Sequence, residues 1–357
     1  MGLPVATVGR FRPNKSGRSA KHSAGPVRMK RPAFSFWLIG PILYASLIGL
    51  FPWSILRVGD FRDLENYSAR LRAISRYGSD YYDMGSGILA YFSNEIVWYW
   101  ILVKSIDFGV SSQAFFVGIS VISAFVSAVF LFRKSEKLLL LLFLVNPISL
   151  DLYLSQIRSA LAFSLVLVGI LYWQKWVRAD WSKQRILSVS AFLIAPFIHS
   201  SMILVIAAFF FAKFLEARGA RSRWPVGLLA VVAGLGLAIA IIVFGNLMLS
   251  ELDDRRDLSA TATRSAFYIV PWIGFIGLTY FGASGREKTN WTHTFSLTVL
   301  TFTIVCEMLG VAMFRMVAFS LPILVVSISK LTPTARHFSY LFLAAYTCVL
   351  FVYWVGI

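Results

Sequence analysis

The sequence predicts an all-α, polytopic integral membrane protein with about eleven transmembrane helices. Three observations carry that prediction. Of 357 residues, 58% are hydrophobic and 16% aromatic, and the mean hydropathy is +0.71. Only 14% are charged, where a soluble domain carries about 25%. The apolar runs are also continuous, as in Leu138-Leu139-Leu140-Leu141-Leu142. Strands of a membrane barrel would alternate apolar and polar residues, and an apolar-rich soluble enzyme would not repeat such long runs.

The net charge of +17 suggests nucleic acid at first sight. Its distribution argues otherwise. Lys and Arg cluster in short loops between apolar runs, the pattern of positive loops kept in the cytoplasm. No nucleic-acid partner is expected; membrane lipid is. Cys306 and Cys348 both lie in apolar runs, so they read as small buried hydrophobes rather than a disulfide or a metal site.

Residues 1–32 hold eight Lys/Arg and no acid, with Gly, Pro and Ser between them. They read as a disordered basic cytoplasmic tail that fixes orientation or touches anionic headgroups. Residues 33–357 then form a single polytopic membrane domain. Its first span is Phe34 to Leu56, too long and too poorly flanked for a cleaved signal peptide. Residues 57–112 lie outside the cytoplasm. The polar part, 57–84, carries Asp60, Asp63, Glu65, Asp80 and Asp83 among Tyr67, Tyr77, Tyr81 and Tyr82. Acids accept hydroxyl hydrogen bonds and tyrosine faces stack on sugars, so this loop suits glycan contact; a solvated loop is the plainer reading.

Residues 85–107 are apolar but carry Asn94 and Glu95 mid-run. Charge decides their placement. If 85–107 does not cross, then Arg133-Lys134, Lys175 to Arg185, Lys213 to Arg223, Arg286/Lys288 and Lys330/Arg336 all face the cytoplasm, and Glu251 to Asp254 faces away. If it crosses, each of these flips. It therefore reads as an interfacial or re-entrant helix carrying Glu95. The later spans fall near 113–132, 138–154, 158–176, 186–198, 201–214, 225–249, 267–283, 294–312, 316–330 and 338–356. The segments 186–198 and 201–214 are short, either a tilted pair or a hairpin that turns inside the membrane at His199-Ser200-Ser201.

This order places Arg158, His199, Arg315, Glu95 and the 57–84 loop at the outer face. Ionisable groups at membrane depth are costly and are functional candidates by default. Guanidinium pairs bidentately with phosphate and stays charged when partly buried. Two arginines and a histidine would suit a lipid-linked pyrophosphate. Snorkelling arginines and a core histidine are the plainer alternatives. His22, His199, His293 and His337 are scattered, so no metal site and no cofactor is expected.

The ordered set Asp60-x-x-Asp63-x-x-Asn66-Tyr67, Glu95-x-x-x-Tyr99, Gln156-x-Arg158-x-x-Leu161-Ala162, Phe197-x-His199-Ser200-Ser201 and Arg315 resembles the EpsG/Wzy-type polysaccharide polymerases. It spans residues from about 55 to 330. Ser159 stands where the family commonly has another polar residue after Gln-x-Arg. The resemblance implies a bacterial inner-membrane glycosyltransferase of GT-C-like architecture, metal-independent, with a cytoplasmic N-terminus and a periplasmic active site. It implies that the protein joins undecaprenyl diphosphate-linked oligosaccharide repeat units into O-antigen or exopolysaccharide, with a chain-length-regulating membrane protein as a partner. Arg158 and Arg315 would neutralise the departing pyrophosphate. Asp60, Asp63, Glu95 or His199 would be the general base, and Gln156, Tyr67, Tyr99 and Ser200 would bind substrate. Three other readings share some of these features: an O-antigen ligase, a polyprenyl monophosphate-dependent GT-C transferase, and a lipid-linked sugar flippase. A flippase would place its ionisable residues at mid-span, whereas here they gather at one face.

Overall fold

The computed structural model describes residues 36–57, 61–78, 95–135, 143–176, 183–219, 225–251, 266–311 and 313–356. The basic tail lies outside them, as do Asp60, Asp80, Asp83, Asp253 and Asp254. The described residues are nearly all helical and contain no strand, as continuous apolar runs require in lipid. We number the helices α1 (Phe36–Leu50), α2 (Arg62–Tyr77), α3 (Ile96–Asp107), α4 (Ser112–Ser135), α5 (Pro147–Leu154), α6 (Ile157–Trp176) and α7 (Lys183–Ile198). The remainder are α8 (Met202–Arg218), α9 (Val226–Glu251), α10 (Ala266–Gly282), α11 (Trp291–Met308), α12 (Arg315–Ser329) and α13 (Pro333–Val355).

By length and composition, α4, α9 and α13 can each cross a membrane, and the bent pair α5–α6 makes a fourth. Helices α1, α7, α8, α10, α11 and α12 have 15 to 18 residues, short of the roughly 20 a straight span needs. Their positions match the expected apolar segments.

The centre of the bundle is α11 with α12. Every residue from Trp291 to Ile304 is buried, as is every residue from Met316 to Ile328. A helix buried on all sides must place its hydroxyls against backbone carbonyls. Ser296 Oγ donates to Thr292 O at 2.8 Å, and Thr303 Oγ1 to Val299 O at 2.9 Å. Thr298 Oγ1 donates across to Ala230 O of α9 at 3.2 Å. The helices approach closely there because Gly234 has no side chain: a Cβ would stand 2.5 Å from Thr298 O. Small residues at crossings are the usual means of packing helices in lipid.

Two segments differ from the sequence reading. The polar stretch 57–84 contains a 16-residue helix, α2, rather than a loop. Its cause is periodicity: Leu64, Tyr67, Leu71 and Ile74 recur every three or four residues, and the last three are buried. The expected span 138–154 is described from residue 143, and its described part carries the eight-residue α5. Asn146 caps it, accepting from Ile148 N at 3.0 Å, and Pro147 opens it. Leu144 O accepts from Tyr44 of mid-α1 at 3.0 Å, while Asp151 meets Arg57 beyond the end of α1. The segment therefore climbs along α1 before bending 103° into α6. That bend sets the first turn of α6 at the same end of the bundle as the ends of α1 and α7 and the start of α12. Helix α3, of 12 residues, is about 18 Å long, well short of a straight crossing.

Candidate functional site at one end of the bundle

The site starts from an unusual backbone. Glu95 immediately precedes α3 at φ 55° and ψ 54°. Among the described residues it is the one non-glycine with positive φ. This conformation costs of order 1 kcal/mol or more in a residue with a Cβ, and such strain clusters at functional sites. Here it turns a carboxylate into the bundle, where the side chain keeps 5% of its surface.

Three groups converge on that carboxylate. Arg158 Nη1, in the first turn of α6, forms an ion pair with Oε2. His199 Nδ1 sits 2.7 Å from Oε1. Ser200 N donates to the same oxygen at 3.4 Å. His199 lies in the break between α7 and α8, where Met202 N donates to His199 O at 3.0 Å and so closes the turn. Tyr67 of α2 lies beneath Arg158, with Cζ 5.9 Å from the ring centroid, within cation–π range. Arg158 Nε is buried with no hydrogen-bond partner.

The chemistry of this trio follows from charge. Glu95 is ion-paired with Arg158, and a carboxylate can only accept. Nδ1 of His199 therefore carries the proton, and Nε2 carries the lone pair. Burial pushes the His199 pKa below its usual value; the hydrogen bond to Glu95 opposes this, and the nearby Arg158 charge reinforces it. The imidazole is neutral at pH 7, with a basic nitrogen fixed in orientation by a buried acid.

Arg315 and Asp63 form a second, looser pair at 3.3 Å, with 53% and 26% of their side-chain surfaces exposed. The Arg315 charge still reaches His199 and Tyr67. A third group joins Asp151 to Arg57 at 2.8 Å and to Gln156 Nε2 at 2.9 Å. Three arginines thus face three carboxylates around this end.

The structure brings together Glu95, Arg158, His199, Ser200 and Tyr67, and pairs Arg315 with Asp63. Gln156 turns instead to Asp151. Tyr99 touches this group through its backbone, donating from N to Glu95 O at 3.2 Å. Asp60 lies outside the described residues. Each of the two arginines is met by a carboxylate. Sequence reasoning missed Arg57, Asp151 and Glu307. Glu307 is buried near the end of α11 and accepts from Met313 N at 2.6 Å, in the turn that leads to Arg315. Asp151 and Glu307 are lone acids inside apolar runs, and the cost of such groups in lipid was the signal that could have found them. Among the described residues, no three His, Cys, Asp or Glu side chains gather as a metal site.

Fold and site together define a helical integral membrane protein with a charge-balanced ionic site at one end of its bundle. A model of the EpsG family matches residues 37–357. The chain belongs to the EpsG family, which places it in polysaccharide biosynthesis. No curated protein and no solved structure matches it.

Proposed function

We propose that this protein is a metal-independent polymerase that joins undecaprenyl diphosphate-linked oligosaccharide repeat units on the periplasmic face of the bacterial inner membrane. The product is O-antigen or exopolysaccharide. The observation that carries the reading is the Glu95–His199 pair, a buried acid fixing a neutral imidazole beside arginines. The reading includes a cytoplasmic N-terminus, about eleven crossings made partly by short and broken helices, and a GT-C-like architecture.

In the proposed reaction, a hydroxyl of the acceptor sugar attacks the anomeric carbon of the donor. The bond from that carbon to the diphosphate oxygen breaks as the new glycosidic bond forms. The hydroxyl proton passes to Nε2 of His199, and the diphosphate lipid leaves with the bonding electrons. Such base assistance is worth about 10²–10⁴-fold. Asp63 and Glu95 are the weaker bases: Glu95 is enclosed by Arg158, His199 and Ser200 N, and Asp63 is engaged by Arg315.

Relative cost assigns the two arginines. Breaking a buried pair costs about 3–5 kcal/mol, so Arg158 keeps Glu95 and offers the rest of its fork. An exposed pair is worth about 0–1 kcal/mol, so the diphosphate can displace Asp63 from Arg315. The test is the surface glycan of a strain lacking this protein. A single repeat unit on the lipid anchor is expected. Absence of any glycan on the anchor, with polymer still on the carrier lipid, would make the protein a ligase and overturn the proposal.

A further inference from the structure

The mechanism above leaves the group at the foot of α5 unused. Arg57 and Asp151 are half-buried, with 21% and 30% of their side-chain surfaces exposed. Asp151 uses one oxygen for Arg57 and the other for Gln156. The chain reverses here: Ser155 N and Gln156 N both donate to Asp151 O, at 2.9 and 3.0 Å. Two residues later comes Arg158. Asp63 and Arg315 lie within electrostatic reach of Asp151, so this group borders the diphosphate end of the site.

Its surroundings are aromatic. The Arg57 guanidinium stands 4.5 Å from the Phe61 ring centroid and 6.0 Å from that of Trp354. Trp53 contacts Trp354 edge-on at 6.4 Å. Two polar atoms here are buried without a hydrogen-bond partner: Gln156 Oε1, an acceptor, and Trp354 Nε1, a donor. Such atoms are uncommon in folded proteins and call for an explanation.

Resting on the polymerase reading, we propose that Arg57, Asp151, Gln156 and Trp354 form a subsite for an uncharged sugar ring of the lipid-linked substrate. The chemistry selects that ligand. The Arg57 charge is already answered by Asp151, so the group does not attract a free anion. Planar side chains with both donors and acceptors match vicinal hydroxyls, each of which donates and accepts. Aromatic faces cover the apolar faces of the ring.

The experiment uses the full-length protein in detergent micelles. The probe is the repeat-unit oligosaccharide, released by mild acid from carrier lipid of a strain lacking the protein. Binding is followed by tryptophan fluorescence, and transfer is followed with the intact lipid-linked unit. Asp151→Asn keeps the size of its side chain and Arg57→Lys keeps the charge, but each spoils the hydrogen-bond pattern. Each should weaken oligosaccharide binding about tenfold and raise KM by more than it lowers kcat. Wild-type binding and KM in both variants would overturn the subsite. So would a fall in thermal stability with binding unchanged, the mark of a clamp between α1 and α5. If the wild-type protein binds the oligosaccharide but forms no polymer, the polymerase reading falls, and the binding of the two variants still decides the subsite.

Discussion

Replacing Glu95 by Gln tests the centre of the site. The amide keeps the size and shape of the side chain, and its oxygen can still accept from His199. Its NH2 group then faces Arg158, donor against donor, where Glu95 keeps 5% and Arg158 15% of side-chain surface. Breaking a buried ion pair costs about 3–5 kcal/mol, and the residual exposure of Arg158 puts this case near the lower end, about 3 kcal/mol. The tautomer of His199 is no longer dictated, because an amide both donates and accepts. The catalytic loss should approach the worth of general-base assistance, at least about a hundredfold. The assay is polymer length, scored as a ladder, in membranes holding matched amounts of protein, with a thermal shift in detergent alongside. The two residues act as one unit, so Glu95→Gln combined with His199→Gln should be no worse than His199→Gln alone. A wild-type ladder from Glu95→Gln, or strictly additive losses in the double variant, would refute the reasoning.

Four other outcomes are expected. Arg315→Ala should leave thermal stability within about 1 kcal/mol, since its pair with Asp63 is exposed, yet abolish the ladder; Arg158→Lys should lose most activity although it keeps the charge, and a normal ladder from either returns that arginine to a packing role. The rate of transfer in membranes should stay level from pH 8 to about 6.5 and decline only below it, because the proposed base is neutral His199 and burial holds its pKa under the usual imidazole value; a decline beginning above pH 7 would contradict this. Gly234→Val should lower detergent-solubilised thermal stability by about 1–3 kcal/mol, since even a Cβ meets Thr298 O at 2.5 Å; an unchanged melting temperature would show that α9 and α11 can part without cost.

The helices were legible in the sequence because lipid leaves few alternatives. Apolar runs near 158–176, 225–249 and 316–330 became α6, α9 and α12 with ends moved by one or two residues. Arg158, His199 and Glu95 stood out because each is an ionisable group in or beside an apolar run. Their pairing was not legible. It depends on the left-handed turn at Glu95 and on the 103° bend before α6, and neither leaves a mark in composition. Helix α2 was legible in principle: Leu64, Tyr67, Leu71 and Ile74 mark one face. It was obscured by the charged residues that cover the opposite face. Asp151 was hidden for the reverse reason. One acid in a run of leucines and isoleucines reads as noise until Arg57, 94 residues away in the chain, is found beside it.

Pairing every arginine of the site with a carboxylate changes what the resting site is. An uncompensated cation at this depth would cost several kcal/mol, and a cation beside His199 would depress its basicity further. Arg158 answers this by binding Glu95, which in turn fixes the imidazole; its charge is committed before substrate arrives. Arg315 is the cation held in reserve. Its partner Asp63 sits on α2, a short amphipathic helix at the edge of the bundle, and the pair is half open to water. A diphosphate carries more charge than one carboxylate and offers a better bidentate match to guanidinium, so it can take Arg315 from Asp63. In the proposed reaction that exchange would release Asp63 beside the sugars, free to accept their hydroxyls. Substrate arrival would then be coupled to a change on α2. Asp63→Asn should accordingly raise affinity for the diphosphate lipid while weakening selection of the sugar, and a loss of diphosphate binding in that variant would show that Asp63 positions Arg315 instead of competing for it.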